Sequence, residues 1–196
     1  MDALDPFVRH IQARVALTDE ELQELLAVFK LKKVKKKQFI IQPDFVATHR
    51  SYVLQGALRS YVVDQNGAEH TVQFALEDWW ISDYNSYLYQ KPATLFVVAM
   101  EDSTLVQIDY MTEQRLKAAN HKFETFFRIG AERTAAYHQR RIISALTRTA
   151  EERYNDFLEA YPTAAQRLPQ YAIASYLGMT TEFLSKIRHD KVKRKS

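Results

Sequence analysis

The sequence predicts an α+β chain: an antiparallel β-rich domain, one long helix, and a C-terminal all-α helix-turn-helix unit. Three observations carry this. Short β-branched and aromatic segments separated by turn residues fill Phe39 to Ile108. A proline-free helical pattern runs from about Met111 to Arg148, and an apolar pattern around Gly178 has the spacing of a helical hairpin. The expected boundaries are 1–110 for an N-terminal helix with the β domain, 111–148 for the long helix and 149–196 for the helix-turn-helix domain.

Composition narrows the class. In 196 residues, 46% hydrophobic and 26% charged side chains are ordinary for a folded chain, and only 4 Gly and 5 Pro argue against long linkers. The absence of cysteine excludes disulfides and thiolate-bound zinc or iron–sulfur clusters, and it fits a reducing cytoplasm, the expected location. Apolar runs such as Leu95 to Met100 are far too short to span a membrane. The acidic start, Met1 to Asp5, lacks the basic region of a signal peptide. The net charge of +3 conceals an asymmetry: residues 133–196 carry a balance of +6 and residues 1–132 one of −3. A basic C-terminal module suggests a polyanionic partner.

The elements follow in order. Thr18 and Glu21 form a capping box, and Leu22, Leu25, Leu26 and Phe29 then give an apolar helical face. Lys32, Lys33, Lys35, Lys36 and Lys37 read as a solvated strand edge leading into Phe39-Ile40-Ile41. Leu58 to Val63 and Glu69 to Phe74 should form a hairpin, because Asn66-Gly67 tolerates positive φ. Leu95 to Ala99 and Thr104 to Ile108 are expected to form a second pair around Glu101-Asp102-Ser103. Several short strands at this spacing suggest a sandwich or barrel. In the long helix, Leu116, Phe123, Phe127, Gly130, Thr134 and Tyr137 form a seam that needs a partner, and a second copy of the chain is favoured over the chain's own sheet.

Residues 170–189 hold the most specific pattern. Ala174 is small where two helices cross, and Gly178 accepts the positive φ of a sharp turn. Ile173, Leu177, Met179, Leu184 and Ile187 are expected to face inward, and Thr180 to cap the second helix. That leaves Thr181, Glu182, Ser185, Lys186 and Arg188 or His189 outward. These hydroxyls, carboxylate and cations are the groups that read base edges and phosphates in a major groove. The expected DNA-binding set is Thr180, Thr181, Glu182, Ser185, Lys186 and Arg188. The tail Lys191-Val192-Lys193-Arg194-Lys195 should add sequence-independent attraction to the phosphate backbone.

The order of these parts, with Gly56-Ala57-Leu58-Arg59 after a strand, resembles the CRP/FNR family of bacterial transcription regulators over almost the whole chain. The resemblance implies a β-roll, jelly-roll-like sensor domain of the cyclic-nucleotide-binding type and a homodimer paired through the long helix. It also implies double-stranded DNA as partner, with RNA polymerase and an unidentified small-molecule effector as further candidates. In cyclic-nucleotide binders of the family a Gly-Glu pair and an Arg-Ser/Thr pair close over the ribose and cyclic phosphate. The matching stretches here are Trp80 to Tyr84 and Pro92-Ala93-Thr94. Ser82, Asp83 and Thr94 are therefore the candidate effector residues, but Ala93 stands where the phosphate-binding arginine should be. A buried phosphate without a cation is costly, so cyclic-nucleotide binding is expected to be lost. The family usually continues past its recognition helix into a β-hairpin wing; here little or no wing is expected.

His10, His49, His70, His121, His138 and His189 form no spaced set for heme or metal, and no cofactor is expected. Trp79, Trp80, Tyr84, Tyr87 and Tyr89 read as core and hairpin packing ahead of an aromatic ligand pocket. Two alternatives stand beside the regulator. A metal-dependent, cupin-like β-barrel enzyme would need converging ligands, for which the β region offers only His49 and Glu69-His70. A protein-interaction module would keep the helix-turn-helix without reading DNA. No nucleophile triad or phosphate-cradling loop is visible, so an enzyme is not the expectation.

Overall fold

The structure is a computed structural model and describes residues 4–193; Met1 to Ala3 and, from the basic tail, Arg194 and Lys195 lie outside the described residues. The chain begins with α1 (Asp5–Gln12) and α2 (Asp19–Ala27). It continues through β1 (Lys30–Val34), β2 (Phe39–Ile41), β3 (His49–Gln55), β4 (Leu58–Val63), β5 (Glu69–Ala75) and β6 (Trp80–Ile81). After α3 (Tyr84–Tyr89) come β7 (Phe96–Ala99), β8 (Ser103–Asp109), α4 (Tyr110–Ala119) and α5 (His121–Thr147). The chain closes with α6 (Ala150–Ala160), α7 (Pro162–Arg167), α8 (Gln170–Leu177) and α9 (Thr181–Lys193). It forms two compact units. One runs through Ser60 and resumes at Gln73–Ala135; the other holds Tyr61–Val72 and the chain from Ala136 onward.

The β-roll belongs to the first unit except for the tip of the β4–β5 hairpin, Tyr61–Val72, which belongs to the second. Its strands lie in two four-stranded sheets, ordered β1-β8-β3-β6 and β2-β7-β4-β5. The lysine-rich β1 is an edge strand, exposed except at Val34, as a solvated edge should be. The predicted hairpin is present. Asp64 accepts from the amides of Asn66 (2.8 Å) and Ala68 (3.0 Å), and Gly67 takes φ +80°. The expected pairing of Leu95 to Ala99 with Thr104 to Ile108 does not form: β7 joins β2 and β4, whereas β8 lies between β1 and β3 in the other sheet. The chain crosses from sheet to sheet after Ala99, so that Val97, Ala99 and Leu105 enter one core from opposite sides. Gly56 makes this crossover possible. At φ +111°, a Cβ there would sit 2.8 Å from the Cα of Ser103, so only glycine fits.

The continuous helix expected from about Met111 to Arg148 is broken at Asn120, whose backbone is extended (φ −147°, ψ 122°). Asn120 caps α5: its side-chain oxygen accepts from Lys122 N–H at 2.9 Å and its carbonyl from Phe123 N–H at 3.0 Å. An asparagine at a helix start satisfies donors that would otherwise be orphaned, and here that local bond wins over helix continuation. The seam also has a different fate from the one expected. Leu116, Phe123 and Phe127 are buried in a core shared with Phe7, Ile11 and Leu25 of α1 and α2 and with Tyr52, Val106 and Ile108 of the roll. Tyr137 is buried as well. Farther along α5, Ile142, Ile143 and Leu146 are instead exposed, Leu146 at 80%.

His10 sits in the core of the first unit, its ring 4.6 Å from that of Tyr52 and 6.1 Å from that of Phe126. Burial, then the nearby Arg14, push its pKa down to about 4 despite Asp78. An unfolded histidine takes up its proton near pH 6.5. Between these values the unfolded chain holds more protons, so stability is full above about pH 6.5 and falls as pH drops toward 4. The expected loss is about 2–3 kcal/mol, and His10→Gln should remove that part of the slope. Both tryptophans, Trp79 and Trp80, lie in this unit. Denaturation followed by tryptophan fluorescence at stepped pH therefore reads it, and identical slopes in the two proteins would refute the assignment.

Candidate nucleic-acid interface

In the second unit, α8 ends as the apolar pattern requires. Gly178 adopts φ 67°, ψ 42°; its N–H donates to Ser175 O (3.2 Å) and Met179 N–H to Ala174 O (3.0 Å). This pair of bonds closes a helix end with a left-handed residue. Thr180 then caps α9, its hydroxyl accepting from Phe183 N–H at 3.2 Å. Ile173, Ala174, Leu177, Leu184 and Ile187 are buried and Met179 is half-buried. With those positions inward, Thr180, Glu182, Ser185, Lys186 and Arg188 are exposed and Thr181 half-exposed, on the turn and outer face of one helix.

The face contains more than the sequence pattern suggests. Ser185 lies 3.4 Å from Gln170 Oε1, which brings the first residue of α8 to the same surface, and Phe183 is exposed between the polar groups. Gln170 was legible only as the residue after Pro169; its place beside Ser185 depends on the helix crossing. Lys191 is turned the other way, donating to Asn155 Oδ1 at 2.6 Å. Among the described residues no strand follows α9.

The effector candidates are placed differently. Asp83 is 2% exposed, and its carboxylate accepts from Ser86 N–H (3.0 Å), Thr94 N–H (2.8 Å) and Leu95 N–H (3.0 Å), with the Thr94 hydroxyl at 3.3 Å. It caps α3 and pins the loop behind it. Ser82 is buried and donates to His49 O at 3.1 Å. Only Thr94 of the three is exposed. Ala93 points into the roll core. Beside this stretch lies a buried ionic cluster that sequence reasoning missed. Arg50 Nε is 2.7 Å from Glu113 Oε2, and Arg50 donates to Tyr84 Oη at 2.7 Å. Tyr87 donates to Glu113 at 2.8 Å, and Lys117 also pairs with Glu113. The Arg50 guanidinium lies over the rings of Trp80 and Phe127. Burial opposes its charge, but Tyr84 and Glu113 outweigh that and hold its pKa above the ordinary value. Burial, then Glu113, push the Tyr87 phenol upward. The aromatics therefore act as packing: Trp79 on the roll core, Trp80 on the helical one, while Tyr89 is 68% exposed. A cavity of about 390 Å³ opens in the roll, but Ser82, Asp83 and Thr94 are not among its walls. Among the described residues no group of three or more His, Asp or Glu side chains converges as metal ligands would, and no helix is long and apolar enough to cross a membrane.

Residues 31–120 match the family model described as the cyclic nucleotide-binding domain. The fold also matches solved structures along most of the chain. FixK2 from Bradyrhizobium japonicum aligns with a TM-score of 0.72 at 18% identity, over 85% of this chain and 86% of that one. The chain has the CRP/FNR fold. The c-di-GMP-responsive global regulator CLP of Xanthomonas campestris aligns at TM-score 0.73 and 10% identity, over 90% of this chain and 93% of that chain. A CooA mutant from Carboxydothermus hydrogenoformans aligns at 0.67 and 20% identity, over 93% and 88% respectively. No curated protein matches the chain in sequence. Within the CRP/FNR fold, Asp83 and Ala93 lie in the cyclic nucleotide-binding domain, and α8 and α9 lie beyond it.

Proposed function

We propose that this CRP/FNR-fold chain is a DNA-binding transcription regulator that works as a homodimer, with α9 entering the major groove. The observation that carries the reading is the α8–Gly178–α9 turn, which buries Ile173, Leu177, Leu184 and Ile187 and leaves Thr180, Glu182, Ser185, Lys186 and Arg188 open on one side. Glu182 can accept from a cytosine amino group; Lys186 and Arg188 can donate to guanine or phosphate; Thr180, Thr181 and Ser185 can hold the backbone. Dimer contacts come from the exposed Ile142, Ile143 and Leu146 of α5, since the seam residues nearer its start are used within the chain. Titration of labelled promoter fragments from the protein's own genome, against competitor DNA at rising salt, tests the reading. A preference that survives competition supports it, and polycation behaviour alone sinks it.

The sensor domain has lost cyclic-nucleotide binding. Its would-be acid is spent on the chain's own amides and its buried arginine on Glu113. Calorimetric titration with cAMP is expected to give no saturable heat at micromolar concentration; micromolar affinity would overturn this statement.

A further inference from the structure

The tip of the β4–β5 hairpin and α8 share the second unit, and they meet through an unusually complete set of polar contacts. β5 is an edge strand, so its outer amides and carbonyls lack a neighbouring strand. Side chains take that place. The Ser175 hydroxyl donates to Glu69 O at 2.6 Å, accepts from Thr71 N–H at 2.9 Å and lies 3.1 Å from Thr71 Oγ1. From α5, Arg141 donates to Thr71 O (2.7 Å), to Val72 O, and to Tyr176 O in α8 (2.9 Å), and it stacks 4.3 Å from the Tyr176 ring. Tyr137 and Tyr176 close the junction through their hydroxyls at 2.7 Å.

We propose that Arg141 and Ser175 are positioning residues for the recognition helix: they clip α8 to the edge of β5 and so fix the bearing of α9. The inference rests on the DNA-binding reading. None of the clip lies on the outer face of α9, so the clip leaves that face free to read while α8 is held. Because α8 is joined to α9 by the capped Gly178 turn and a shared apolar core, restraining one restrains the other. Arg141 spans three carbonyls on two elements with a planar fork, which a lysine ammonium cannot reproduce.

The test compares Ser175→Ala, Arg141→Lys and the hydroxyl-retaining Ser175→Thr with wild type, using promoter-fragment affinity, its salt dependence, and hydrogen exchange at the Thr71 amide. Ser175→Ala and Arg141→Lys should weaken DNA binding about tenfold at an unchanged salt slope, because no phosphate contact is removed. Exchange at Thr71 should accelerate in Ser175→Ala, and Ser175→Thr should restore both readouts. Faster Thr71 exchange with unchanged affinity, or unchanged exchange in Ser175→Ala, overturns the positioning role alone. Failure of the wild type to prefer any sequence overturns the DNA reading, and the positioning role with it.

Discussion

Glu113→Leu is expected to lower the stability of the roll by about 3–5 kcal/mol, the cost of removing one partner of a buried ion pair. Glu113 is 1% exposed and Arg50 4%. The substitution strands the guanidinium between the Trp80 and Phe127 rings, leaves it Tyr84 as hydrogen-bond acceptor, and takes the acceptor from Tyr87. Lys117 is better placed to escape, since its side chain is 26% exposed. Tryptophan fluorescence during denaturation reads the effect, because both tryptophans lie in this unit and the two units need not unfold together. The double variant Arg50→Met/Glu113→Leu should recover most of the loss, because an apolar pair of similar volume often replaces a buried salt bridge at little cost. An unchanged midpoint in the single variant would show that Arg50 and Glu113 are not a buried, charged unit.

Replacing Lys186 and Arg188 together by alanine should weaken binding to a preferred promoter fragment about a hundredfold and flatten its salt dependence by up to about two counterions. Both side chains are exposed, so the fold should be spared and the circular dichroism unchanged. Glu182→Gln should behave differently, shifting which base is preferred with a smaller change in overall affinity, because a carboxylate accepts from cytosine whereas a carboxamide pairs with adenine. If the double variant bound as tightly as wild type, α9 would not be the reading helix. The Glu113 and Lys186/Arg188 variants thus separate the halves of the chain: one probes how the roll is held together, the other what the C-terminal unit presents.

The helix-turn-helix was the most legible part because its determinants are local. A glycine in the left-handed region, a threonine three residues before the amide it caps, and apolar residues at helical spacing all act within a few turns of one another. The Asn66-Gly67 hairpin was readable for the same reason. The parts that escaped depend on distant partners. A proline-free stretch permits a long helix without requiring it, and Asn120 stops the helix using its own cap while its amide reaches Glu21 at 3.1 Å. β7 and β8 look like neighbours along the chain, yet the core between two sheets is filled only if they part. Asp83 is an acid, one methylene shorter, where the resemblance places a glutamate, but its type says nothing of the three amides that occupy it. Arg50 and Glu113 lie on β3 and α4, and no spacing in the sequence links them.

The most direct measurement of DNA reading by α9 is a protection footprint of the full chain on genomic promoter fragments at physiological salt. A dimer presenting two α9 helices predicts a two-fold pattern: protected half-sites about 10 bp apart, centre to centre, on one face of the duplex. Uniform protection without sequence preference, or no protection at concentrations where the chain is folded, would contradict it.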